Sequence, residues 1–354
     1  MLRCASMRPS SSSSLLGLLG GRGDGALGRG LRAGLTLLGL GREHPAGRVR
    51  ESRVVTPAGS VYDLYEPTSE VRRTLVALHG MTLRGERDSR LVQFARTFAA
   101  SGFRVATVRL PALAACDIAA SDVPVLCDAV GHLTDAHGGR VGVIGFSFGS
   151  GVALTAAADA AIRDRVDPLL VFGAPHQLAE VWDNLLAFGA CPPASDAGFG
   201  PWDDFCYVQL IWALRRPDLV SAAVHARARE LLEGYCAEKD IQVKRSFCER
   251  ELLPLDLASH TRAAPRPAGM RELSPAGRLA EVTARVLLVH DSADRIIPPA
   301  HSERSFAELA RRGDPDRQRL LISPVVSHVT PGDLWRLGDL RRLLGMFGEL
   351  FRSP

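Results

Sequence analysis

The chain has 354 residues, 46% of them apolar, enough to bury a sizeable core and too apolar for a disordered polypeptide. No stretch approaches the roughly 20 consecutive apolar residues that a membrane-spanning helix needs. The formal charge of +4 is uneven: residues 1–50 hold eight arginines against Asp24 and Glu43, which leaves −2 on the rest and no basic stripe of a nucleic-acid binder.

Residues 1–47 read as a basic leader rich in Arg, Ser, Gly and Leu, with Ser10–Ser14 followed by short apolar runs. The composition is that of an organellar transit peptide, and the first apolar run, Leu15–Gly21, is short for a secretory signal. The favoured reading is a disordered or weakly amphipathic leader, and contact with a membrane surface through its basic residues is a separate alternative. The expected location is cytoplasmic, or organellar or exported if the leader is a targeting segment. Seven cysteines, at 4, 116, 127, 191, 206, 236 and 248, form no CxxC pair, and the odd count favours free thiols in a reducing compartment. Cys236 and Cys248 could bridge.

From Arg48 the pattern sharpens. Val54-Val55 and Ser60–Tyr65 alternate around Pro57 and Gly59, as in a β-hairpin. Thr74–Leu78 is a short apolar run ending in His79-Gly80, the pattern of a buried parallel strand. Helical periodicity over Asp88–Ser101 is stopped by Gly102, and Phe103–Val108 predicts a strand. A helix at Val123–Ala136 leads to a strand at Val141–Ile144, an Ala-rich helix at Ser150–Ala161 and a strand at Leu169–Phe172. Between 177 and 280 the pattern is mainly helical, at Leu178–Phe188, Phe205–Leu214 and Leu219–Glu233. Alternation resumes with Arg285–His290, a helix at Glu303–Arg312, Arg319–Ile322 and a last helix at Gly332–Phe351. Such alternation predicts an α/β fold: a mostly parallel central sheet with helices on both faces. The core spans 48–176 and 281–354, interrupted by a helical cap insertion at 177–280.

Gly145-Phe146-Ser147-Phe148-Gly149 lies between an apolar strand and an Ala-rich helix. G-x-S-x-G in that context is a nucleophile elbow. The serine must take a strained positive φ to project its hydroxyl, and strand and helix then approach so closely that only glycine fits two residues to either side. A serine hydroxyl is a weak nucleophile, so a base must take its proton and a third group must hold that base. In this arrangement the partners follow in the order Ser, acid, His, each on a loop after a later strand. Arg285–His290 is followed by Asp291-Ser292-Ala293-Asp294, and Arg319–Ile322 by a loop that ends in Ser327-His328.

Three matches in the right order, His79-Gly80, the 145–149 elbow, and HDSADRIIPP at 290–299 followed by Ser327-His328, make the chain resemble the α/β-hydrolase superfamily, among its carboxylesterase, lipase and dienelactone-hydrolase-like members. The similarity runs over 52–176 and 281–352. It implies a serine hydrolase acting on ester bonds, with Ser147 as nucleophile, His328 as base and Asp294 as orienting acid. Asp291, where glycine is common in the family, is the alternative acid. The resemblance also implies oxyanion donors at the backbone N–H of Phe148 and, after the HG strand, of Met81, with Thr82 as a substitute.

His79 reads as a turn-stabilising residue and His290 as locally bonded. His176 is a candidate pocket residue, while His225, His260 and His301 fall on surface helix or loop. Trp182, Trp202 and Trp212, with Phe199, Phe205 and Tyr207, either form the insertion's own core or face the nucleophile. No metal-ligand spacing and no phosphate-binding loop is present, so neither metal nor cofactor is expected. The expected partner is a small apolar acyl ester, without nucleic acid. A thioesterase, lactonase or peptidase would use the same residues, and a non-catalytic binding protein of this fold is the alternative of another class.

Overall fold

A computed structural model describes residues 49–234, 241–327, 330–331 and 336–350. The leader, Cys4, Cys236 and His328 lie outside the described residues. Eight strands form one sheet: β1 (Val49–Val55), β2 (Val61–Pro67), β3 (Arg73–Leu78), β4 (Phe103–Val108), β5 (Val141–Phe146), β6 (Val166–Phe172), β7 (Val286–His290) and β8 (Gln318–Ile322). Their order is β1-β2-β4-β3-β5-β6-β7-β8. β1–β2 and β2–β4 are antiparallel; every later pairing is parallel.

The uninterrupted apolar runs are explained by burial on both faces. Along β3, Leu75 and Ala77 point into one core with the helices Ser89–Ala100 and Leu337–Glu349. Val76 and Leu78 point into the other, with Asp122–His137 and Phe148–Ala157. The exposed edge strand β1 carries Arg50, Glu51 and Arg53, charges that discourage edge-to-edge pairing with another chain.

Between β6 and β7 run the helices Leu178–Gly189, Phe199–Arg215, Ala222–Glu233, Ile241–Phe247 and Leu257–Ala263. Their apolar side chains, Trp182, Phe205 and Trp212 among them, are continuous with the core on the Val76 face. Leu178–Gly189 and Phe199–Arg215 cross closely at Gly189, where a Cβ would lie 2.2 Å from the Trp212 ring. Among the described residues no helix is long and apolar enough to cross a membrane.

The expected elements are present, with informative shifts. The helix expected from Ser150 starts at Phe148 and ends at Ala157, because residues 158–165 turn before β6. The helix expected from Phe205 starts at Phe199, with Pro201 in its first turn, where a missing N–H costs nothing. Asp256, at φ 41, caps Leu257–Ala263 by accepting from the Ser259 N–H, a start signal not foreseen. His301 is not on the surface: it is buried in the helix Ala300–Ala310, because that helix packs its His301 face against the chain leaving β6. Cys248 is a free thiol whose neighbour is Cys206, and Cys236, its expected bridging partner, lies outside the described residues.

Candidate active site

Ser147 joins β5 to the helix Phe148–Ala157 with φ 53 and ψ −128, a conformation that L-residues rarely hold. Its N–H donates to the Phe172 carbonyl at 2.7 Å, and the Ser150 hydroxyl donates to the same oxygen at 2.9 Å. The turn is therefore stitched to β6. The glycines around it are sterically required: a Cβ at Gly145 would lie 2.8 Å from the Ser150 Cα, and one at Gly149 would lie 2.1 Å from the His79 carbonyl oxygen. Free N–H groups and the positive dipole end of the helix start beside Ser147, where negative charge is stabilised.

The loop after β3 packs directly on this turn: a Cβ at Gly80 would meet the Ser147 Cβ at 3.0 Å. His79 organises the loop. The Leu110 N–H donates to Nε2 at 3.1 Å, so the proton sits on Nδ1, which donates to the Gly80 carbonyl at 2.6 Å. Burial pushes the imidazole pKa down to about 4, which keeps it neutral near pH 7. His79 is thus a strut, as its position suggested. Downstream, Thr82 accepts from the Gly85 N–H at 3.0 Å, and buried Glu86 accepts from Arg53 and Arg109 at 3.1 and 3.0 Å. The Met81 carbonyl accepts from the Tyr207 hydroxyl at 2.6 Å. Burial raises the Tyr207 pKa, so the phenol stays a donor.

The acid loop follows β7. Asp294 is buried, and its Oδ1 accepts from the Ile296 and Ile297 N–H groups at 2.9 Å each. Its Oδ2 lies 3.6 Å from the Nε2 of fully buried His290. That nitrogen donates to the Ile297 carbonyl at 2.7 Å, while Nδ1 is 2.6 Å from the Ser302 hydroxyl. His290 is therefore locally bonded and braces the loop. Asp291 is also buried and accepts from the Ala293 N–H at 2.9 Å within its own turn. After β8, Val326–Ser327 pairs antiparallel with Thr330–Pro331. His328 and Val329, between the two segments, lie outside the described residues.

No protein-family model matches the chain, and no curated protein matches its sequence. Solved structures do. A puromycin-hydrolyzing peptidase of Mycobacterium tuberculosis aligns with a TM-score of 0.50 at 16% identity, over 89% of this chain and 42% of its own. A meta-cleavage product hydrolase of Pseudomonas fluorescens aligns at 0.47 and 16% identity, over 84% of this chain and 96% of its own. An esterase of Pyrococcus furiosus aligns at 0.46 and 13% identity, over 84% and 88%. At 16% identity the likeness to the peptidase speaks for the fold alone, and it agrees with the strand order and the strained serine after β5. The chain has the α/β-hydrolase fold.

In this α/β-hydrolase fold, Met81 from the loop after β3, Phe148 from the helix start after β5 and Ile296 from the loop after β7 border a single pocket. The segment between β6 and β7 supplies its other walls: Trp182 and Leu185 from one helix, and Tyr207, Val208, Ile211, Trp212 and Arg215 from the next. The insertion's aromatics thus divide. Trp182 and Trp212 face the pocket, whereas Trp202 donates to the Ala194 carbonyl at 3.1 Å and lies beneath the Arg245 guanidinium at 4.0 Å. Tyr207, one of the aromatics expected either in the insertion's own core or facing the nucleophile, borders the pocket as well; Arg215 was not foreseen there, and its signal was the helical spacing 207, 211, 215, which only a known helix phase makes readable.

His176 does not border this pocket. Its Nε2 bonds the Glu308 carboxylate at 2.9 Å, and the same carboxylate accepts from the Gly277 and Leu279 N–H groups at 3.1 and 3.0 Å. Those bonds hold the Glu308 pKa below the usual carboxylate range although burial opposes them. The cluster ties the end of the insertion to the helix Ala300–Ala310. Among the described residues no three His, Cys, Asp or Glu side chains are grouped as metal ligands.

Proposed function

We propose that this protein is a serine hydrolase that cleaves carboxylic esters through an acyl-enzyme on Ser147. The observation that carries the reading is Ser147 itself: a buried hydroxyl held at φ 53 between β5 and a helix start, with the Gly80 loop packed against it. No structural demand of the sheet explains such strain at a serine; delivery of a nucleophile does.

In this reading His328 takes the serine proton as Oγ attacks the ester carbonyl carbon. The N–H groups of Phe148 and Met81 hold the resulting oxyanion. The bond to the alcohol oxygen then breaks, and the alcohol leaves with the proton from His328. Water, deprotonated by the same imidazole, attacks the acyl-enzyme and releases the acid and free Ser147. Asp294 accepts from the second imidazole nitrogen. Its carboxylate is held in place by two loop N–H groups, those of Ile296 and Ile297. Asp291 is the alternative acid. Residues 177–280 act as a cap that supplies the substrate walls, and the chemistry calls for no metal or cofactor.

A fluorophosphonate probe tests the proposal. Labelling of the wild-type protein that disappears in Ser147→Ala supports it. A folded wild-type protein that takes no label overturns it in favour of a non-catalytic binding protein of this fold. Parallel assays with p-nitrophenyl esters, a thioester, a lactone and an aminoacyl amide separate ester cleavage from the other reactions that this set of residues serves.

A further inference from the structure

We infer that Asn184, on the first helix of the insertion, is a positioning residue for Asp294, so that the insertion helps to aim the catalytic acid. This rests on the serine-hydrolase reading and adds a residue to it. The helix Leu178–Gly189 carries the Asn184 amide over the loop that follows β7. There its Nδ2 donates to the Arg295 carbonyl at 2.7 Å and to the Ile296 carbonyl at 3.3 Å. The N–H ends of the same two peptide units, those of Ile296 and Ile297, both donate to Asp294 Oδ1 at 2.9 Å.

A trans peptide points its carbonyl and its N–H in opposite directions. The carboxylate and the Asn184 amide therefore grip one short turn from opposite sides, and whatever rotates those peptides moves the Asp294 oxygen that they hold. A donor on the carbonyl also polarises the N–H across the amide, so Asn184 strengthens the bonds to Oδ1 as well as aiming them. An error of about 1 Å in such a group can cost on the order of 10²-fold in rate.

Neighbouring contacts do not replace this one. Arg295 Nη1 lies 3.5 Å from Asp204 on the next helix, a partly exposed ion pair of the kind that contributes at most about 1 kcal/mol. His290 Nε2 braces the following carbonyl, that of Ile297, and leaves the Arg295 and Ile296 carbonyls to Asn184. Asparagine is a weak helix former, so its place in the middle of this helix is explained by the loop it serves and not by the helix. Trp182 and Leu185 of the same helix border the pocket. A displaced helix would therefore show in KM, whereas a displaced carboxylate shows in kcat.

The experiment measures kcat and KM for a p-nitrophenyl ester, and the rate of fluorophosphonate labelling, on the wild type, Asn184→Ala, Asn184→Asp, Asp294→Asn and the double variant Asn184→Ala/Asp294→Asn. Thermal melts show that the variants fold; Asn184→Asp keeps the side chain's shape while setting an oxygen against the two carbonyls. Asn184→Ala should lower kcat about tenfold with KM within twofold and slow labelling by a similar factor, and Asn184→Asp should lose at least as much. In the Asp294→Asn background the added loss should shrink to within twofold, because a residue that acts through Asp294 then has nothing left to act on. Asp183→Ala, which breaks only the exposed pair with Arg266 from the same helix, should leave kcat within about twofold. An unchanged kcat in both Asn184 variants overturns the inference, and so does a tenfold loss that persists in the Asp294→Asn background or is carried by KM. Full activity of Asp294→Asn overturns it while leaving Ser147 as the nucleophile. A wild-type protein that neither takes the probe nor cleaves any ester overturns it together with the hydrolase reading.

Discussion

The Tyr207 hydroxyl donates to the Met81 carbonyl oxygen at 2.6 Å, and one peptide earlier His79 Nδ1 donates to the Gly80 carbonyl oxygen, also at 2.6 Å. In a trans peptide the carbonyl and the following N–H point in opposite directions. The His79 bond therefore fixes where the Met81 N–H points, and the Tyr207 bond fixes the Thr82 N–H. Both oxyanion candidates on this loop are oriented by side chains remote from Ser147 in sequence.

Tyr207→Phe removes only the hydroxyl. It should lower stability by about 1 kcal/mol, the net contribution of one hydrogen bond. If the loop supplies an oxyanion donor, kcat should fall by about tenfold with KM within twofold, since the lost restraint acts on the transition state. Michaelis parameters for a short ester and a urea titration give both readouts. An unchanged kcat would mean that the loop holds its geometry without Tyr207.

Asp294→Asn should reduce kcat by roughly 10²–10⁴ through loss of control over the base's tautomer. Asp291→Asn should cost far less, because the Asp291 Oδ1 serves its own turn by accepting from the Ala293 N–H. Steady-state kinetics on the two variants decide the assignment. A large loss confined to Asp291→Asn would move the acid to that position.

Gly149→Ala tests the steric basis of the elbow. Its methyl group would sit 2.1 Å from the His79 carbonyl oxygen, which is backbone and cannot swing aside. The expected loss is ~3 kcal/mol or more, with Ser147 labelling abolished. Gly131→Ala, in the helix Asp122–His137 with no atom within 4 Å of the new Cβ, should instead stabilise by about 0.5–1 kcal/mol. Equal melting temperatures for the two variants would contradict the close approach.

Buried histidines give the fold a pH dependence. His79 and His301 both have folded pKa values pushed down to about 4, by burial foremost, against about 6.5 when unfolded. The unfolded chain therefore binds more protons between these values, and stability falls as pH drops from 6.5 towards 4. For His79 the full effect is on the order of 3 kcal/mol. Urea midpoints between pH 7 and 5 should fall in the wild type, with a shallower slope in His301→Asn. An identical slope in both would remove His301 from the account.

Much of the fold was legible because local patterns determined it. Short apolar runs such as Thr74–Leu78, bounded by turn residues and alternating with helical segments, fit strands buried on both faces, and the glycines at 145 and 149 announce a turn that tolerates no side chain. Candidate chemistry was legible for the same reason, since Ser147, Asp291 and Asp294 each follow an unmistakable strand. What tertiary structure decided was contact between segments far apart in sequence. No local pattern reveals that Tyr207 reaches Met81, that Glu308 gathers His176 with Gly277 and Leu279, or that His301 is buried. Each depends on how one helix is rotated and where it is laid across the sheet, and hydrophobic periodicity sets a helix's apolar face without naming the residue that face will meet. The sequence by itself determined the order of elements and the strained serine; packing between distant segments alone decided which side chains brace the loops and how large a pocket the insertion leaves.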